Sequence, residues 1–262
     1  MATAPSGDAL LLGRGKVYFD RLTSAGASTG ERFLGNCDSL EITPANEVKE
    51  KRSSCEAAAG LLKRIVTQTT LDFSIQMNEV NKENLAAFLL GDNSTQVVAA
   101  TPVVAEAHTA PALGTYFQCG SATAPARNIG SVAVKKAPST TYTLNTDYTV
   151  DAVNGRIYVV PTGTIVPGDA ITVDYTPVAH TYATVRAGVT PTIEGALRYI
   201  TDNAVGPNAD MYAWKVAITP DGALALLGDD FAAYKLKGGV LNMAETHPTE
   251  PYFRVTFITP TA

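Results

Sequence analysis

Apolar and polar residues alternate along much of this chain, and a period of two predicts strands. In TLDFSIQMN, Leu71, Phe73, Ile75 and Met77 alternate with Asp72, Ser74, Gln76 and Asn78. That describes a strand with one face in a core and the other polar. PTIEGALRYITD places Ile193, Leu197 and Tyr199 on one face and Glu194, Arg198 and Asp202 on the other. MYAWKVAI groups Tyr212, Trp214, Val216 and Ile218, and YFRVTFI groups Phe253, Val255 and Phe257. Further strands are predicted at Lys16–Asp20, Leu40–Thr43 and Phe231–Lys237. One segment reads as a helix. Asn81 can cap it, Glu83 suits its positive N-terminal end, Leu85, Phe88 and Leu89 form an apolar stripe, and Gly91 offers a left-handed stop. A helix of ~10 residues is marginal alone, so it is expected to pack on the sheet. The expected fold class is mainly β with one flanking helix.

Composition shifts near Thr101. From there to about Tyr182 the chain is rich in Thr, Ala, Pro and Val, with short strand-like runs (YFQC, SVAVK, TYTL, GRIYVV, AITVDY) between turn residues. Asn154-Gly155 between two such runs predicts a hairpin. Residues 101–182 are therefore expected to form a small β-sandwich or barrel, inserted into a host domain built from 1–100 and 183–262.

Charge narrows the function more than it identifies one. The formal net charge is −5. No global basic field favours a protein that grips nucleic acid by its phosphates. No apolar run approaches the ~20 residues that span a bilayer, and the N-terminus has no basic segment ahead of Leu10-Leu11-Leu12, so neither a membrane helix nor a signal peptide is expected. Cys37, Cys55 and Cys119 are far apart, which predicts free thiols in a reducing compartment and neither a disulfide framework nor a thiol-pair zinc site. His108, His180 and His247 read as loop histidines, each in a linker-like or proline-adjacent context. Gly13–Gly15 precedes a strand, so it is not a phosphate loop, and Gly228–Asp230 reads as a turn. No catalytic residues, metal ligands or cofactors are expected, and a non-enzyme is favoured.

One stretch stands apart. Between Glu47 and Ile65 the chain carries Lys49, Lys51, Arg52, Lys63 and Arg64 against Glu47, Glu50 and Glu56. In its middle lies Ala58-Ala59-Gly60-Leu61-Leu62. Two readings stand side by side: a long solvated loop, or a subunit contact with an apolar tip and charged flanks.

The series LGRGKVYFDRL, LGNCDSLEITP, EVKEKRSSCEAAAGLL and FSIQMNEVNKENLAAFLLG resembles the N-terminal half of the major tail (tail tube) proteins of long-tailed bacteriophages. WKVAITPDGALALLGDDFAAYKLKGGVL resembles their C-terminal strands, so the likeness covers roughly 10–100 and 190–258. The resemblance implies a tail-tube β-sandwich with a flanking helix whose copies form hexameric rings with a continuous inner barrel. Rings then stack into a tube through which DNA passes without specific binding. It implies partners in self, tape measure, tail terminator and baseplate or tip proteins, and a place in the virion after assembly in the host cytoplasm. On this reading Glu47, Lys49, Glu50, Lys51, Arg52, Leu61, Leu62, Lys63 and Arg64 are candidates for ring stacking. Asp72, Ser74, Gln76, Asn78, Glu194, Arg198 and Asp202 are candidates for the lumen face. The insert resembles immunoglobulin-like decorations of some phage tails and belongs on the tube exterior. A tube-end or terminator protein is the alternative within this class. A carbohydrate-binding module working through Tyr116, Phe117, Tyr142, Tyr148 or Tyr158 is the alternative outside it.

Overall fold

The computed structural model describes residues 10–55, 58–136 and 140–258; Glu56 of the charged stretch lies outside them. The chain divides into two compact units, one running up to Asn93 and resuming at Val185, the other Ser94–Thr184. In chain order the elements are β1 (Gly15–Arg21), β2 (Arg32–Phe33), β3 (Cys37–Arg52), β4 (Leu61–Met77), α1 (Lys82–Phe88) and β5 (Asp92–Val98). Then come β6 (Val103–Thr109), β7 (Tyr116–Gln118), β8 (Ile129–Lys136), β9 (Thr140–Thr141), β10 (Tyr148–Asp151), β11 (Arg156–Val159) and β12 (Ala170–Pro177). The chain returns through β13 (His180–Arg186), which pairs with β5, to β14 (Ile193–Thr201), β15 (Asn208–Asp221), β16 (Tyr234–Val240) and β17 (Phe253–Ile258). The protein is mainly β, with one helix among the described residues.

In the first unit an eight-stranded antiparallel sheet runs β2-β1-β14-β15-β16-β4-β3, with β17 beside the first half of β15. Its inward residues form one core. Val17 and Phe19 come from β1, Phe73, Ile75 and Met77 from β4, Leu197 from β14, Val216 and Ile218 from β15, and Leu236 from β16. Burying each such side chain stabilises the fold by roughly 1.5–3 kcal/mol. The helix adds Ala87 and Phe88, the latter edge-on to Tyr234 at 5.4 Å between ring centroids. Asn81 caps it by accepting from the Asn84 N–H at 2.8 Å. Asn84 itself is fully buried; it donates to the Leu34 carbonyl at 2.7 Å and accepts from Arg32 Nη2 at 2.7 Å, tying the helix to β2.

The helix stop differs from expectation. The left-handed residue is Leu90 (φ 50°), and the Gly91 N–H reaches back to the Ala86 carbonyl at 2.7 Å. Gly91 is needed for space: a Cβ there would sit 1.8 Å from the Arg186 carbonyl oxygen.

The predicted grouping of Tyr212 and Trp214 with Val216 and Ile218 is also overturned. Between β14 and β15 the register steps from Gly195 opposite Val216 to Leu197 opposite Ala213, so two residues, Trp214 and Lys215, face one. Such a bulge exchanges the faces of a strand. Met211 and Ala213 turn inward, and Tyr212 joins Arg198 on the polar face. Trp214 packs flat against His247 at 3.8 Å, with the Arg254 guanidinium 5.5 Å from its ring, and its Nε1–H donates to the Glu250 carbonyl at 2.9 Å.

The second unit is a small sandwich. Sheets β6-β12-β8-β9 and β10-β11-β7 share a core of Val134, Ile171, Val173 and Tyr175 against Tyr148, Ile157 and Val159. The Asn154-Gly155 hairpin forms between β10 and β11, with Gly155 at φ 64°. Asp147 is buried, accepting from the backbone N–H groups of Thr143 and Thr164 at 2.7 Å each and from the Thr164 hydroxyl at 2.9 Å. The two backbone bonds lead in holding its carboxyl below the usual carboxylate range.

Candidate functional site

The Glu47–Ile65 stretch is strand for most of its length, not a loop. β3 and β4 pair from Cys37 opposite Met77 out to Arg52 opposite Leu61, and the Ser53 N–H closes the tip on the Gly60 carbonyl at 2.8 Å. Only residues 72–77 of β4 have a second neighbour, β16. Residues 44–52 and 61–71 therefore form a two-stranded ribbon beyond the sheet, about 30 Å long at the usual rise per residue. The charged residues kept it from reading as strand, because on a ribbon without a core both faces are open to polar side chains. Four of its apolar residues are left in solvent: Leu61, Leu62, Ile65 and Val66 are 50%, 66%, 50% and 58% exposed. Glu50 pairs with Arg52 and Arg64 at 3.6 and 3.7 Å on one face. On the other face Lys51 lies directly opposite Lys63, next to Lys49, a like-charge pairing that costs stability in a ribbon alone.

The polar sheet face brings together five of the seven residues assigned to it. Asp72, Ser74 and Gln76 lie opposite Gly239, Lys237 and Lys235, with Thr43, Glu41 and Ser39 across β3. Glu194 pairs with Lys215 at 2.6 Å. Arg198 bonds Asp210 through two nitrogens at 3.0 and 2.6 Å and reaches Glu31 at 3.4 Å. The Asp210 hydrogen bond, ahead of other influences, pushes its pKa further up. Asn78 and Asp202 lie past strand ends. Asn78 bonds Asn36 and Asp38, and the Asp202 N–H closes on the Arg14 carbonyl at 2.8 Å.

Two further apolar surfaces escaped the pattern. A groove of about 440 Å³ near the start of β15 is lined by Leu11, Leu40, Ile42, Met211, Val255 and Phe257. The loop after the far end of β15 holds out Leu226, Leu227 and Phe231, at 79%, 95% and 93% exposure. Neither could be read as surface from the sequence, since strand pairing decides which apolar residues find a core.

The histidines are not loop residues as a group. His180 lies in β13 and His247 against Trp214. His108 lies in β6, two residues from Glu106, so both side chains point to one face, and that face turns inward. His108 Nε2 is 2.6 Å from Glu106 Oε1. The same oxygen accepts from the Gly120 N–H at 2.7 Å, while Oε2 accepts from the Tyr175 hydroxyl at 2.6 Å. Burial works to raise the Glu106 pKa, but the bonds from Tyr175, Gly120 and His108 outweigh it and the net shift is downward. Cys119 is wholly buried beside them, and burial pushes its thiol up to about 12. The signal for this group was the alternation Glu106-x-His108 within a strand.

Of the five aromatic residues considered as a sugar platform, Tyr142 and Tyr148 are buried in the insert core and Phe117 packs against it. Tyr116 and Tyr158 pair at 4.9 Å, with Arg156 over Tyr116.

No helix among the described residues is long and apolar enough to cross a membrane. No curated protein matches the chain. One family model, described as protein of unknown function UCP028589, matches residues 10–255, nearly the whole length, and the chain belongs to that family.

Proposed function

We propose that this chain is a structural subunit of a long-tailed phage tail tube, joining its copies in six-membered rings that stack around a DNA conduit. The observation that carries the reading is the β3–β4 ribbon. A two-stranded hairpin is marginal in water, and this one presents four exposed aliphatic side chains and a Lys51–Lys63 clash. A neighbouring copy that covers the leucines and supplies acidic groups removes both costs, and the rest of this acidic chain offers such groups. The groove and the Leu226-Leu227-Phe231 loop lie at opposite ends of β15, so a contact between them is head-to-tail. Head-to-tail contacts close into rings when the rotation between copies allows. The role is structural, with DNA, tape measure, terminator and baseplate proteins as neighbours and no chemistry asked of any side chain.

Electron microscopy and sedimentation of the purified full chain test this. Rings or tubes are expected, alone or with neighbouring tail proteins added. The double variant Leu61→Asp, Leu62→Asp is expected to stay folded by circular dichroism and to lose them, because buried unpaired carboxylates are costly at an interface. A wild-type protein that stays monomeric at high concentration under all these conditions overturns the reading.

A further inference from the structure

The sandwich of the second unit holds a group that packing alone does not call for. At the inward positions of β6, where a sandwich core wants aliphatic side chains, stand Glu106 and His108. Burying a carboxylate is costly unless it is fully bonded, and a second polar side chain beside it adds to that cost. A thiol completes the set. One ligand atom from each of Glu106, His108 and Cys119 lies within 4.8 Å of the other two.

We propose that Glu106 Oε1, His108 Nε2 and Cys119 Sγ form a binding site for a divalent transition ion of the zinc class. The donor set selects that class. Sulfur and imidazole nitrogen suit zinc and cobalt, whereas calcium and magnesium take oxygen ligands. Tetrahedral zinc bonds of about 2.0–2.3 Å need ligand atoms some 3–4 Å apart, so the 2.6 Å contact between His108 Nε2 and Glu106 Oε1 must open as the ion enters. The supporting contacts are in place. The Tyr175 hydroxyl holds Glu106 Oε2, and the Gly120 N–H bonds the ligating oxygen, as outer partners do around metal-bound carboxylates. The Glu106 and His108 side chains are 20% and 15% exposed, so an ion can reach them from solvent.

The proton balance is simple. Binding breaks the Cys119 S–H bond, forms the metal–sulfur bond and releases that proton to solvent. A neutral His108 gives Nε2 to the metal by carrying its proton on Nδ1. The site also has a structural logic. Glu106 and His108 belong to the four-stranded sheet, and Cys119 follows β7 of the three-stranded sheet. A metal here clips the two layers together, as an inter-sheet disulfide would in an oxidising compartment.

Cobalt(II) titration of the full chain, freed of metal by a chelator, is the test. A thiolate-to-cobalt charge-transfer band that saturates at one equivalent and is displaced by zinc is expected. It should vanish in Cys119→Ser and persist in Cys37→Ser and Cys55→Ser. Tyr175→Phe should weaken binding by about 10- to 100-fold, the usual effect of losing an outer-shell partner. If Cys119→Ser does not fold, His108→Gln decides, and a folded His108→Gln with an unchanged titration overturns the proposal. So does a folded wild-type chain with no charge-transfer band, or a band that follows Cys55.

Discussion

The two halves of β4 are equally apolar in sequence and opposite in fate. Phe73, Ile75 and Met77 are buried to within 3% of full enclosure, whereas Leu61, Leu62, Ile65 and Val66 stand at least half exposed on the same strand. The half with β16 beside it gains a core; the half paired only with β3 has none among the described residues. One strand thus serves two purposes. Its inner end holds the unit together, and its outer end presents aliphatic side chains to solvent.

Core substitutions sharpen this contrast most. Ile75→Ala should cost about 2–5 kcal/mol in thermal or denaturant unfolding, the usual price of a core cavity. A cost near zero would mean that the inner half is not a core strand. Asp147→Ala in the sandwich should cost roughly 1–3 kcal/mol by stranding buried donors. The Asp147 carboxyl is held low in the folded state. Its contribution is therefore complete above the unfolded carboxylate pKa near 4 and disappears as pH falls through the folded value. Stability of the second unit should accordingly drop in acid, and Asp147→Asn should flatten that part of the profile. The pair Leu61→Asp, Leu62→Asp should change monomer stability by no more than about 0.5 kcal/mol, as exposed sites do. A loss comparable to that of Ile75→Ala would place the leucines in the fold and erase the distinction between the halves. Lys51→Glu replaces a repulsion with Lys63 by a pairing and should stabilise the hairpin by about 0.2–1 kcal/mol. If the basic face docks on acidic groups, the same change weakens assembly, measurable as a higher concentration threshold for sedimenting species.

Much of this was legible in residue order. The alternation at 71–77 names its own buried face, and Asn81 and Glu83 mark a helix start that the Asn84 N–H bond bears out. What was hidden depends on neighbours. The bulge that turns Tyr212 and Trp214 away from the core arises from two residues facing one across β14, a count that no single strand contains. The ribbon was concealed by its charges, since pairing with β3 leaves it free of any inward face. His108 read as a loop histidine because its burial is decided by which face of the β6–β12 sheet meets the other sheet. Gly91 was recognised as special but for the wrong reason, a left-handed backbone rather than the approach of the Arg186 carbonyl.

Trp214 has a practical meaning apart from its packing. It is the chain's one tryptophan, and it lies in the first unit between His247 and Arg254. Emission excited at the red edge of indole absorption will therefore follow that unit alone, while tyrosine light comes from both. The molecule carries its own optical label for separating the unfolding of the host from that of its insert.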